Sequence, residues 1–165
     1  MPKIIVTGPE NSGKTTLCKA LSKHFNIPFS KEYAREYLDA LNRDYNQDDL
    51  LKIAKGQLQA EKDIQLLDTD LITLKIWSEY KYGSCDKRIL NQIEKQRSEN
   101  RFYLLCKPDI PWKADPQREN PNDREKLFES YKKEIESLGN NYFIAEGENR
   151  TENSISKISP LISLI

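Results

Sequence analysis

Apolar residues follow two rhythms along this chain. Short continuous apolar runs lie at residues 3–7, 27–30, 64–68, 102–106 and 142–145. Each has the length of a buried strand and is too short for a helix. Between them the apolar positions recur at helical spacing. Leu17, Ala20, Leu21, His24 and Phe25 mark a helix over 16–25, and a second runs over 32–41. Asn46 stands as N-cap of a helix through about Lys62, with Leu50, Ile53, Ala54 and Leu58 on its buried side. Helices follow over 70–82, ended by Gly83, and over 86–97. Leu127, Phe128, Tyr131, Ile135 and Leu138 mark a long helix closed by Gly139, and a last helix starts near Asn149 and meets Pro160. The apolar tail 161–165 is suited to pack back on the body. Two residues interrupt the rhythm. Pro28 predicts an edge position for the second strand, because proline cannot donate to a ladder. Gly56 falls inside a helix at a cost of about 1 kcal/mol relative to alanine, as a close approach or a tolerated defect.

Strands that alternate with helices predict an α/β fold: three layers, with a parallel sheet of about five strands covered on both faces. The 165 residues carry no repeat, linker or low-complexity stretch, so one domain over 1–165 is expected. Ligands in such sheets bind outside the carboxyl ends of the strands.

Composition narrows the partners. The 26 basic and 26 acidic residues cancel, with no sustained basic run, so no nucleic-acid partner is expected. The three cysteines have neither an even count nor Cys-x-x-Cys spacing, which argues against a disulfide framework and a zinc site. His24 is the only histidine, so a Ser-His-Asp triad is not expected. No apolar run approaches the roughly 18 residues of a membrane span, and no leader pattern precedes the first strand; a cytoplasmic setting without a membrane partner is expected.

The first strand runs into Gly8-Pro9-Glu10-Asn11-Ser12-Gly13-Lys14-Thr15, which a helix follows. Glycine, four residues, then Gly-Lys-Thr is the phosphate-binding P-loop pattern in its required strand-to-helix setting. The glycines let backbone N–H groups converge on a phosphate, and the helix N-terminus adds partial positive charge. ATP and Mg²⁺ are the expected cofactors. Gly8, Asn11, Ser12, Gly13, Lys14, Thr15 and Thr16 are candidate nucleotide contacts, with Lys14 on the β- and γ-phosphates and the Thr15 hydroxyl on Mg²⁺. The fold expectation sharpens to a P-loop NTPase.

The other strand ends supply the remaining candidates. Asp68 ends an apolar strand and is expected, with Thr15, to hold the metal. Glu32 and Asp70 compete as the base that accepts or orients an acceptor hydroxyl. Arg35 is placed on substrate or phosphate, or else in an intrahelical ion pair. Arg118 and Arg124 belong to a proline-containing loop positioned as a lid over the phosphates, where a guanidinium would stabilise charge on the transferred group. Trp77 and Trp112 are candidate walls for a flat ring.

GPENSGKTTL, EYAREYL, DTDLIT followed by WSEYKYG, and LLCKPDIPWKADPQREN together resemble the ribosylnicotinamide kinase domain of NadR-type NAD-salvage proteins, over residues 3 to about 150. The resemblance implies a nucleoside- and nucleotide-kinase-like fold. It implies ATP-dependent phosphorylation of the 5′-hydroxyl of nicotinamide riboside, a small-molecule substrate, to nicotinamide mononucleotide. On that footing Glu32, Tyr33, Arg35, Asp70, Trp77 and Trp112 are substrate contacts, Asp109 and Asp115 bind ribose hydroxyls, and Gly147 to Arg150 resembles the loop bordering adenine. Family members often carry an adenylyltransferase domain, sometimes also a DNA-binding domain; neither is found here, so NAD synthesis and repression are not expected. Two alternatives stay open: a regulatory P-loop ATPase, and a kinase for another nucleoside or small metabolite. A GTPase is disfavoured, because Cys106-Lys107-Pro108-Asp109 lacks the asparagine of the guanine motif and Asp68-Thr69-Asp70-Leu71 lacks its glycine.

Overall fold

Ile4 and Val6 of β1 (Lys3–Thr7) face one side of the sheet and Ile5 the other, and all three are fully buried. A strand apolar on both faces needs a helical layer on each side. The structure is a computed structural model that describes residues 1–110 and 123–162. After β1 come α1 (Lys14–Phe25), β2 (Phe29–Ser30), α2 (Tyr33–Asp39), α3 (Gln47–Ala60), β3 (Leu66–Asp68), α4 (Leu71–Tyr82) and α5 (Lys87–Gln96). Then follow β4 (Arg101–Cys106), α6 (Arg124–Ser137), β5 (Asn141–Ala145), α7 (Arg150–Ile158) and a 3₁₀ turn, Ser159–Leu161.

Among the described residues the sheet has five parallel strands in the order β2-β3-β1-β4-β5. This is the expected three-layer α/β architecture. On one face Ile4, Val6, Leu66, Leu104 and Cys106 pack against Leu17, Cys18 and Leu21 of α1 and Ile158 of α7, and Ile162 just after the turn joins them. On the other face Ile5, Leu67, Tyr103 and Leu105 pack beneath α3, α4, α5 and α6. Each fully buried Leu or Ile contributes about 1.5–3 kcal/mol.

Boundaries moved for local reasons. Lys14 and Thr15 already lie in α1, so the end of the P-loop is the first helical turn itself. The buried stripe of α1 is Leu17, Cys18 and Leu21, and Phe25 packs half-buried against the same cluster, while His24 departs from the stripe and is exposed. The second strand shrinks to two residues because Asn26 caps α1 in the left-handed region and turns the chain before Pro28. Its edge position is as expected. Asn46 caps α3 with a complete capping box: its side chain accepts from the Asp49 N–H at 3.1 Å, and Asp49 accepts from the Asn46 N–H at 2.8 Å.

Gly56 is a close approach, not a tolerated defect. A Cβ there would fall 2.1 Å from a ring carbon of Tyr33, so the absence of a side chain on α3 makes room for the first residue of α2. Asp49 ties the same two helices together, accepting from Tyr37 Oη and from Arg43, each at 2.6 Å; the Arg43 guanidinium holds its carboxyl well below the usual carboxylate range. The α2–α3 pair is thereby fixed over the ends of β2 and β3.

Candidate functional site

The carboxyl ends of β1, β2 and β3 open onto a cleft of about 890 Å³. Residues 10–16 of the P-loop and first turn of α1 form one wall, residues from α2 and the segment before it form another, and Lys19, Asp68 and Trp77 also line it. Asn11, Ser12, Gly13, Lys14, Thr15 and Thr16 therefore stand where the motif places them.

Gly8 is excluded from the lining and has a different task. Its φ of +143° is closed to most side chains, and a Cβ would meet the Cys106 carbonyl oxygen at 2.7 Å. Only glycine lets the loop pass that close to β4. Four of the loop's carbonyls have cationic or hydroxyl donors. Lys14 Nζ donates to Gly8 O at 2.9 Å and Pro9 O at 3.4 Å, Ser12 Oγ to Pro9 O, Arg124 to Asn11 O at 3.1 Å and Arg150 to Ser12 O at 3.0 Å. With these carbonyls held by side-chain donors, the N–H groups of the loop are left for an anion. Arg124 and Arg150, expected as nucleotide contacts, thus bond carbonyls of the P-loop and are not among the residues lining the cleft.

At the end of β3, Thr15 Oγ1 donates to Asp68 Oδ2 at 2.8 Å. Asp68 Oδ1 is buried with no partner among the described residues. A hydroxyl and a carboxylate oxygen at the mouth of a phosphate loop form the all-oxygen donor set that Mg²⁺ prefers. The residues present fit that ion. Burial, then the charge of Glu32, pushes the Asp68 carboxyl up to about 6.

Glu32 occupies the N-cap position of α2, yet its side chain makes no capping bond and lines the cleft. Arg35 lines it from the next turn, with Glu36 and Asp39. Trp77, half-buried on α4, faces the same space.

Several expected substrate contacts lie elsewhere. Asp70 does not reach the cleft. One of its oxygens caps α4 by accepting from Ile72 N–H, and the other accepts from Arg101 at 3.0 Å and Tyr103 Oη at 2.7 Å, with the carboxylate fully buried. An oxygen already holding two donors beneath α4 has no room for an acceptor hydroxyl, so Asp70 is corrected from base to structural anchor. Tyr33 turns its ring onto Gly56 and is likewise absent from the lining. Asp109 pairs with Arg150 and accepts from Gly147 N–H at 2.8 Å. It follows β4, on the other side of β1 from β2 and β3, so it ties the Gly147–Arg150 segment and not a ribose in this cleft. Trp112, Asp115 and Arg118 lie outside the described residues.

The pattern of residue types concealed some participants. Arg101 heads β4 and is buried, although its charge suggested a strand beginning one residue later. Phe29 and Lys31 line the cleft on either side of Ser30, and Lys19 lines it from the second turn of α1. Gln57 bonds two strand-end segments at once; its only sequence signal was the adjacent Gly56.

The sequence model of the family described as AAA domain matches residues 3–152. The trifunctional NAD biosynthesis/regulator protein NadR of Escherichia coli (strain K12) is 29% identical over 126 residues, covering 68% of this chain and 30% of the relative. This chain therefore spans about a third of that relative's length. Among solved structures, a NadR protein in complex with NR superposes with a TM-score of 0.77 at 24% identity, over 99% of this chain and 53% of that one. Deoxyadenosine kinase from M. mycoides with bound dCTP superposes with a TM-score of 0.62 at 13% identity, over 96% and 99%. The three-layer fold is that of P-loop nucleoside kinases.

Proposed function

Starting from a chain that belongs to the AAA domain family, we propose that it is an ATP-dependent kinase for the 5′-hydroxyl of nicotinamide riboside, yielding nicotinamide mononucleotide. The carrying observation is the placement of two carboxylates in one cleft with the P-loop. Asp68 presents an unpartnered oxygen beside the Thr15 hydroxyl, and Glu32 lines the cleft without a capping duty. A regulatory ATPase needs the first of these; a carboxylate facing the acceptor side is what group transfer to a hydroxyl adds.

Lys14 exchanges its loop carbonyls for the β- and γ-phosphates of ATP, and the loop N–H groups bind the same phosphates. Thr15 and Asp68 would hold Mg²⁺, which when bound would neutralise charge on the phosphates. Glu32 accepts the hydrogen bond of the 5′-hydroxyl, orients its oxygen in line with the γ-phosphorus and takes its proton as the new P–O bond forms. ADP leaves with the electrons of the broken bond.

The acceptor end suits a cationic nucleoside. Glu32, Glu36 and Asp39 against Lys31 and Arg35 leave it one excess negative charge, and Trp77 offers an aromatic face. A pyridinium over such a face gains about 0.5–2 kcal/mol from cation–π attraction. Similarity to the NadR proteins, one of them solved in complex with NR, supports nicotinamide riboside within that class. Trp112 and Asp115 remain assigned to the base and the ribose, and Arg118 to the transferred phosphoryl group.

A panel of nucleosides incubated with ATP and Mg²⁺ tests the reading. Turnover is expected to depend on nicotinamide riboside and to be weak with uncharged pyrimidine and purine nucleosides. Turnover with another metabolite alone would replace the acceptor, and turnover indifferent to every acceptor would leave a regulatory ATPase.

A further inference from the structure

Gln57 is buried in the last turn of α3 and reaches two segments that are distant in sequence. Its Oε1 accepts from Tyr33 N–H at 3.2 Å, and its Nε2 donates to Thr69 O at 3.4 Å. A backbone N–H can only donate and a backbone carbonyl can only accept, so these partners fix which way the amide points. Tyr33 follows Glu32, and Thr69 follows Asp68. One neutral side chain therefore joins the two segments that carry the cleft carboxylates.

Both segments need such a hold. Thr69 is β-branched yet has φ of +67°, a backbone conformation that persists only where its surroundings over-determine it. Its N–H is held by Val6 O at 2.8 Å, and the Asp70 carboxylate that follows is held by Arg101 and Tyr103. Gln57 completes the set at the carbonyl. On the other side, Glu32 gives α2 no capping bond, so an α2 donor is left for another acceptor. Gln57 Oε1 supplies that acceptor from a neighbouring helix. The adjacent Gly56 receives the Tyr33 ring, so two consecutive α3 residues dock the start of α2, one by shape and one by hydrogen bond.

We propose that Gln57 is a positioning residue that sets the separation of Glu32 and Asp68 across the cleft. This rests on the assignment of those two carboxylates to phosphoryl transfer. Gln57 is absent from the cleft lining and acts only through the backbone on either side. The amide is suited to the task because it satisfies a donor and an acceptor together without bringing a third charge near the pair.

Gln57→Met keeps the length of the side chain and removes both bonds; Gln57→Glu keeps the acceptor and loses the donor. Two readouts are taken on the full chain: hydrogen exchange at the Tyr33 amide without nucleotide, and steady-state kinetics with ATP and nicotinamide riboside. In Gln57→Met, Tyr33 exchange is expected to rise about tenfold or more while β4 amides stay protected. Its kcat is expected to fall about tenfold or more with KM for ATP within about twofold. Gln57→Glu is expected to keep Tyr33 protected and still lose kcat. Unchanged Tyr33 exchange in Gln57→Met overturns the proposal, as does raised exchange with unchanged kcat, or full activity in Gln57→Glu. A native protein that transfers phosphate to no acceptor defeats the kinase reading instead, and Tyr33 exchange then decides by itself whether Gln57 holds α2.

Discussion

The Thr15 hydroxyl donates to one oxygen of Asp68 at 2.8 Å, and the other oxygen of that carboxylate is buried without a partner among the described residues. Leaving a buried acceptor unpaired costs about 1–3 kcal/mol, so a fold that keeps one beside a phosphate loop is set up for a cation. Asp68→Asn tests this at nearly constant shape. The Asn carbonyl oxygen keeps the Thr15 bond, which puts its NH₂ where the ion would sit. Turnover is expected to fall about a hundredfold or more and to recover partly at high Mg²⁺, with little loss of Tm. A titration of activity against Mg²⁺ checks it; an unchanged Mg²⁺ dependence would remove Asp68 from the metal site.

Glu32 and Asp70 separate by the kind of damage their loss does. Glu32→Gln is expected to lower kcat by about 10²–10⁴ with a nearly unchanged Tm, as removal of a base does. Asp70→Asn strips the charge that faces buried Arg101 and is expected to destabilise the fold by about 3–5 kcal/mol, with KM for both substrates little changed in the folded fraction. Thermal melts beside kinetics on both variants decide between the roles, and the reverse assignment predicts the reverse pattern.

Much of this was legible in the sequence because it rests on local rules. The P-loop needs its residues at fixed spacing, the central strands need unbroken apolar runs, and Asn46 with Asp49 form a cap within four residues of chain. The edge position of β2 followed from Pro28 alone. The choice between Glu32 and Asp70 as the base was not local. Asp70 stands two residues past Asp68 at the end of β3, and what holds it away from the cleft is Arg101, 31 positions on in another strand. Arg124 and Arg150 showed a similar limit: their charge suggested phosphate, and their carbonyl partners on the P-loop lie 113 and 138 positions away. Gln57 gave no signal of its own, since a neutral polar residue on an amphipathic helix usually faces water.

Gly56→Ala sets two magnitudes against each other. Helix propensity favours alanine by about 1 kcal/mol. The added methyl would lie 2.1 Å from the Tyr33 ring, and overpacking of this kind costs typically about 1–3 kcal/mol. Net destabilisation is expected, together with lower kcat because α2 must shift to clear the methyl. A chemical denaturation curve beside kcat checks both; a stabilised, fully active variant would contradict the close approach of α2 to α3.

Glu61 gives the pH dependence of stability. Burial pushes its carboxyl from 4.5 up to about 7, and Arg101 at 3.8 Å offsets only part of that. A raised pKa means that the folded state holds the proton more tightly than the unfolded chain does. The contribution is fully present below about pH 4.5 and is lost as pH rises through about 7, a change on the order of 3 kcal/mol. Unfolding free energies measured from pH 4.5 to 8 are expected to decline across that window, and Glu61→Gln is expected to flatten the decline. An equally steep decline in the variant would place the titration on another group.

Trp77→Ala is expected to raise KM for the nucleoside about two- to thirtyfold with KM for ATP unchanged, in line with about 0.5–2 kcal/mol of ring contact. Steady-state kinetics in each substrate separately reads this, and an equal rise in both constants would place Trp77 outside the acceptor side.

The central claim is transfer of the γ-phosphoryl group to a nucleoside hydroxyl, and labelled transfer measures it directly. ATP carrying ¹⁸O in the γ-phosphate is incubated with the protein, Mg²⁺ and nicotinamide riboside, and the product masses are read. The account predicts nicotinamide mononucleotide carrying the label, formed in step with ADP and absent in Lys14→Ala. Label found only in inorganic phosphate, at a rate the nucleoside does not alter, would contradict it.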